Sequence, residues 1–171
     1  MITLTRRSRF EQRSNLSRIH AVPSLSVMAG SMVTTLPFIA DAPLMPPFGL
    51  MMFLAWRLLQ REIWHPWAGV ALGLFDDMWS KQPPGTAMLL WSVAQTLIAI
   101  GDQRALWRDY WQDWVIASVL VAFCLSAGLG IANITGGHTH WVVIVPQIII
   151  SILLQPLVMR LCGFLDQWRF S

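Results

Sequence analysis

The sequence predicts an all-α membrane protein with six transmembrane helices, and three observations carry that expectation. Hydrophobic residues make up 55% of the 171-residue chain and charged residues only 12%, whereas soluble chains carry about 25% charge. With a mean hydropathy of +0.53, lipid is the expected solvent. The apolar residues fall into six runs, separated by short stretches rich in proline, glycine and charge. The basic residues also segregate. With both termini cytoplasmic, eleven of the twelve Lys and Arg residues lie inside and only Lys81 lies outside, as the positive-inside rule requires.

Residues 1–18 form a basic tail, with Arg6, Arg7, Arg9, Arg13 and Arg18 against Glu11; its charge is expected to hold it unstructured in the cytoplasm. Ala40-Asp41-Ala42 resembles a signal cleavage site, but the apolar stretch 19–39 is longer than a signal-peptide core and more spans follow, so a retained first span is expected. The rest of the chain, 19–171, reads as one six-helix domain. The second span, 44–59, opens on Pro46-Pro47, which a first helical turn tolerates. The third, 64–79, reaches only about 24 Å against a bilayer core of roughly 30 Å, so one end is expected to be sunk. The fourth, fifth and sixth cover 85–101, 113–133 and 141–162. Trp64, Trp67, Trp79, Trp107, Trp114, Trp141 and Trp168 then lie at water–lipid boundaries, as aromatic belts require.

This layout leaves no connection long enough for a soluble catalytic domain, so any function is expected to work through helix faces, short loops and the basic tail. Glycine-rich phosphate loops, serine elbows and HExxH motifs are absent from the sequence. No cofactor, metal or nucleic-acid partner is expected. Cys124 and Cys162 lack metal-ligand spacing and read as small core residues. His138 and His140 follow Gly136-Gly137 without a third ligand nearby, a weak metal signal.

The stretch 69–85 organises the chain. Gly69, Gly73 and Asp77 fall at i, i+4 and i+8, on one helical face, and small residues at that spacing admit a second helix closely. Asp77 at the end of this seam is expected to latch spans three and four. It would accept hydrogen bonds from the backbone around Pro84, Gly85 and Thr86, with Gly85 and Thr86 as donors because Pro83 and Pro84 have no N–H. Asp76 reads as its solvated neighbour, and asparagine should substitute for Asp77 in such a latch. In the fifth span Ser118, Ala122, Ser126 and Gly130 form a small-residue stripe, expected to pack within the protein. In the sixth, Gln147, Ser151 and Gln155 lie between Pro146 and Pro156, which free the carbonyls of Val142 and Ile152; polar neighbours can re-satisfy such groups. An amide facing lipid would be unpaired, so this stripe is expected to face the bundle. Ser92, Gln95 and Thr96 on span four are expected to pair helix to helix rather than line a cavity. Trp107, Tyr110, Trp111 and Trp114, at i, i+3, i+4 and i+7, suggest a short interfacial helix. That aromatic face would anchor in the membrane or, beside Arg104 and Arg108, dock an acidic partner.

Gly73-Leu74, Asp77 and Pro83-Pro84-Gly85-Thr86-Ala87, with a last span followed by Pro156, Arg160, Asp166 and Arg169, resemble the MreD family of bacterial rod shape-determining membrane proteins. The resemblance covers residues 36–171; Asp76 is an extra acid beside the family aspartate. It implies a compact bundle similar to the substrate-binding components of energy-coupling-factor transporters. It further implies a non-enzymatic inner-membrane part of the cell-wall elongation machinery, working with MreC and through it MreB, RodA and a penicillin-binding transpeptidase. The alternative it suggests is a small-molecule, vitamin-type binding component of a membrane transporter, using the polar faces of spans four and six.

Overall fold

The computed structural model describes residues 9–33, 45–60, 63–80, 83–104, 109–136 and 140–170. These form α1 (Arg9–Val33), α2 (Phe48–Leu59), α3 (Ala68–Trp79), α4 (Thr86–Arg104), α5 (Tyr110–Ile134) and α6 (Val145–Phe170), with a 3-10 turn at Trp141–Val143 and no strand among them.

The bundle is built around α2. Leu50, Met51, Phe53, Leu54, Ala55 and Trp56 are all buried, so this helix is apolar on nearly every side, the pattern of a core helix. It packs against α1, α4, α5 and α6. Gly30 and Gly49 let α1 close on it: a Cβ on Gly30 would sit 3.1 Å from the Gly49 nitrogen. The buried indole of Trp56 needs an acceptor, and its Nε1 donates to Ser26 Oγ on α1 at 2.8 Å. Phe53 stacks on Trp91 of α4, ring centroids 5.1 Å apart.

Helix number agrees with the expectation; helix lengths do not. Two helices, α5 and α6 over Tyr110–Ile134 and Val145–Trp168, are long and apolar enough to cross a bilayer. α2 and α3 have 12 residues each, about 18 Å of helix. Pro46-Pro47 delays the start of α2, and His65-Pro66 delays α3, which begins at Ala68 rather than residue 64. Residues 9–18, expected to be unstructured, belong to α1, because Arg, Glu and Gln are good helix formers even where they cannot enter lipid. The short interfacial helix also gives way to a different arrangement. Tyr110, Trp111 and Trp114 are the first turns of α5 itself, since nothing between them and Ile134 breaks a helix; Trp107 and Arg108 lie outside the described residues. So do Ala40, Asp41, Ala42, Arg61, Lys81, His138 and Thr139.

The C-terminal ends of α2, α4 and α6 meet in a polar cluster. Arg57 forms a 3.4 Å ion pair with Asp102, both side chains mostly buried, and Gln60 Nε2 donates to both carboxylate oxygens of Asp166 at 2.8 and 2.9 Å. A buried cation deprived of its partner costs about 3–5 kcal/mol, whereas an apolar replacement of both members can be neutral. Asp102→Ala is therefore expected to lower thermal stability in detergent by that order, and Arg57→Met with Asp102→Leu to recover most of it. Equal loss in the single and double variants would show that the pair does not hold these ends together.

Candidate functional site

The site begins with the two glycines of α3. Gly69 and Gly73 are buried on the face turned to α4. A Cβ on Gly73 would lie 2.7 Å from Met88 Cα and 2.8 Å from the Ala87 oxygen, so the backbones are in contact there. At Gly69 the nearest atoms would be Gln95 Oε1 at 2.7 Å and Ser92 Cα at 3.1 Å. Only glycine fits a seam this tight.

One helical turn beyond Gly73, Asp77 is buried and its carboxylate accepts three backbone hydrogen bonds from the start of α4. Gly85 N and Met88 N donate to Oδ2, each at 3.0 Å, and Ala87 N donates to Oδ1 at 2.9 Å. A helix start leaves several N–H groups without intrahelical partners, and a carboxylate is favoured there by the dipole as well. α4 thus takes its N-terminal cap from a neighbouring helix. Gly85 turns the chain into α4 at φ +92°, a left-handed conformation that glycine adopts at little cost, and Pro83 and Pro84 bring it there without donors of their own.

Two details differ from the sequence expectation. Thr86 is not a donor to Asp77: its N–H and its hydroxyl both bond the Pro83 carbonyl, at 3.2 and 2.6 Å, which closes the turn before α4. Asp76 is not solvated. It is half-buried and lies beside Ser31 on α1. Successive residues on a helix point about 100° apart, so adjacent acids reach different neighbours: Asp77 ties α3 to α4 and Asp76 faces α1.

At the other end of the seam Gln95 does the same work with a neutral group. Its Oε1 accepts from Gly69 N at 2.8 Å and its Nε2 donates to the His65 carbonyl at 3.0 Å, so it caps the start of α3 from α4. Of the three polar residues expected to pair on span four, Gln95 does. Ser92 and Thr96 instead bond back to the carbonyls of Met88 and Ser92 on their own helix, which is how a hydroxyl avoids being unpaired on an outward face.

The stripe on α6 faces inward. Gln147 Nε2 donates to the Met45 carbonyl at 2.7 Å. Ser151 is fully buried and bonds Gln147 O at 2.7 Å. Gln155 is fully buried too, with neither amide atom hydrogen-bonded. The carbonyl that Pro156 frees is re-satisfied from α5: Trp114 Nε1 donates to Ile152 O at 3.3 Å, and Tyr110 Oη reaches Pro156 O at 3.4 Å. Trp111 stays exposed, its ring centroid 4.7 Å from that of Trp114. On α5, Ser118 is buried, Ala122 and Ser126 are half-buried, and a Cβ on Gly130 would meet nothing within 4 Å. Close packing along this stripe is therefore confined to its first half. Cys124 and Cys162 are free and buried. Among the described residues no group of three His, Cys, Asp or Glu could hold a metal ion.

Comparison of the chain with protein-family models, curated proteins and solved structures returns no significant match.

The geometry sharpens what substitutions at the seam should do. An asparagine keeps one acceptor oxygen and turns an NH2 group toward backbone donors. The structure uses both oxygens, so Asp77→Asn should cost about 1.5–3 kcal/mol rather than be tolerated. Asp76→Asn, at a carboxylate that caps no helix start, should cost less. Gly73→Ala, facing backbone, should destabilise more than Gly69→Ala, which meets the end of a side chain first. Thermal unfolding of the purified variants measures all four; an Asp77→Asn protein as stable as the wild type would refute the three-donor cap.

Proposed function

We propose that this chain is a non-enzymatic inner-membrane component of the machinery that elongates the bacterial cell wall, a member of the MreD family acting with MreC and, through it, MreB, RodA and a penicillin-binding transpeptidase. The carrying observation is that the residues of the resemblance, Gly73, Asp77 and Gly85 with its flanking prolines, are joined in one structural device. A motif whose members make such a device belongs to the scaffold of a fold.

Placement in the membrane is supported by the outward faces. On α6, Ile149, Leu153, Leu157, Leu161, Phe164 and Trp168 are exposed at helical spacing, a stripe that water would disfavour and lipid accepts. On α5, Val115, Val119 and Phe123 are exposed at the same helical spacing. We read all six helices as membrane-embedded, both termini cytoplasmic, with the short α2 shielded by its neighbours. The transporter alternative needs polar groups open to a solute, but Gln95 and Gln147 are spent on helix ends and loops and Gln155, whose amide is unpaired, is fully buried, which favours the scaffold reading.

Two measurements test this. Mild-detergent purification should bring down MreC and other wall-synthesis proteins; recovery of an ATPase with a coupling subunit would support the transporter instead. Reporter fusions after Arg61, Lys81, Arg104 and His140 should read inside, outside, inside and outside, and a cytoplasmic signal at Lys81 would overturn the topology.

A further inference from the structure

The outward apolar faces of the bundle differ in height. On α3 the exposed apolar side chains run from Trp67 through Leu74 and Met78 to Trp79, about 18 Å of helix. Its neighbour α4 agrees: Met88, Leu89, Leu97 and Ile100 are exposed, and they too span about 18 Å. On α6 the exposed apolar residues run from Val145 to Trp168, and on α5 from Trp111 to Ile134, about 35 Å in each case. A bilayer core is roughly 30 Å thick. α5 and α6 therefore cross it with length to spare, while the α3–α4 wall falls well short.

The protein has no means of making up the difference. In the sequence Arg61-Glu62 precedes the α3 run and Lys81-Gln82 follows it, and α4 is bounded by Pro83-Pro84 and by Asp102. Tilting a helix only reduces its reach across the bilayer. Sliding α3 along α4 would heighten the wall, but the seam forbids it. The backbones touch at Gly73, Asp77 clamps one end to the start of α4, and Gln95 clamps the other. The two helices are one short, rigid plate, so adaptation falls to the lipid.

We propose that the bilayer is thinned along the α3–α4 wall, and that the lipids touching this wall are enriched in short acyl chains. The length of the exposed apolar face selects them, because a short helix in thick lipid draws the bilayer thinner at a cost that grows with the mismatch. A second copy of the chain could also cover the face, but close helix association in lipid favours small residues at the contact. α3 spends Gly69 and Gly73 on α4 and turns Trp67, Leu74 and Met78 outward, which suits acyl chains better than another helix. The inference rests on the membrane placement proposed above and is independent of the wall-synthesis role.

Fluorescence quenching of the full-length protein in dierucoyl phosphatidylcholine vesicles tests the proposal. A fluorophore is attached at Leu74→Cys on α3 or at Leu157→Cys on α6, both exposed positions; Cys124 and Cys162 are buried, and wild-type protein controls for their labelling. Brominated dimyristoleoyl or brominated dierucoyl phosphatidylcholine is then mixed in, and the association constant of the short lipid relative to the long one is read at each position. It should be larger at Leu74 than at Leu157 by about threefold or more. Equal constants at the two positions would overturn the proposal. So would a label at Leu74 that neither brominated lipid quenches while the label at Leu157 is quenched, since protein would then cover the face. Labels quenched at neither position would remove the membrane placement, and the proposal with it.

Discussion

Where α3 meets α4 no side chain separates the two backbones, and the arrangement of this end of the bundle follows from that contact. Gly73 brings Ala87 and Met88 within reach of the Asp77 carboxylate. With a larger residue at 73 the donors would move away and the acid would be buried without them, which in an apolar surrounding costs several kcal/mol. The glycine and the aspartate are thus one device with a steric half and an electrostatic half. Asp76 lies beside Ser31 of α1, so the two adjacent acids face different neighbouring helices. Gln95 repeats the arrangement at the opposite end with an amide, a cheaper group to bury than a charge.

Much of this was legible in the sequence. The i, i+4, i+8 spacing of Gly69, Gly73 and Asp77 implied a shared face, and the prolines before Gly85 narrowed the donors. The periodicity of Gln147, Ser151 and Gln155 implied an inward stripe. What escaped depended on tertiary register. Nothing local marks Gly30 and Gly49 as partners, because they sit on different helices and touch only after α1 and α2 align. The pairing of Arg57 with Asp102 required the ends of α2 and α4 to converge. The aromatic run 107–114 had the periodicity of a helical face, but periodicity does not say where a helix ends. Tyr110, Trp111 and Trp114 therefore went to the start of α5 instead of a separate element.

Pro156 shows how the fold absorbs a local defect. The proline removes one hydrogen bond from α6, and in lipid the orphaned carbonyl would have no water to turn to. The Trp114 indole supplies the missing donor at Ile152, which couples the break in α6 to the first turns of α5. One turn of α6 holds both the repaired carbonyl and Gln155, whose amide is buried without hydrogen bonds. The same segment that satisfies one polar group thus carries a buried amide with both atoms unpaired. A leucine there would relieve the buried amide, so glutamine at 155 is not explained by stability.

The shortness and burial of α2 also bear on how the protein is made. A helix of about 18 Å cannot partition alone into a bilayer core of roughly 30 Å, and it carries Arg57 near its end. Its contacts with α1 are local in the chain: Gly30 against Gly49, and Ser26 under the Trp56 indole. During synthesis α1 is complete before α2 emerges, so on the membrane placement proposed above the two would enter lipid as a preformed hairpin. The later helices would then close around a helix that never faced the membrane by itself. Biogenesis of this bundle is on that view ordered from its N-terminus, and a lesion at Gly30 or Gly49 would act at insertion, before any finished protein exists to be destabilised.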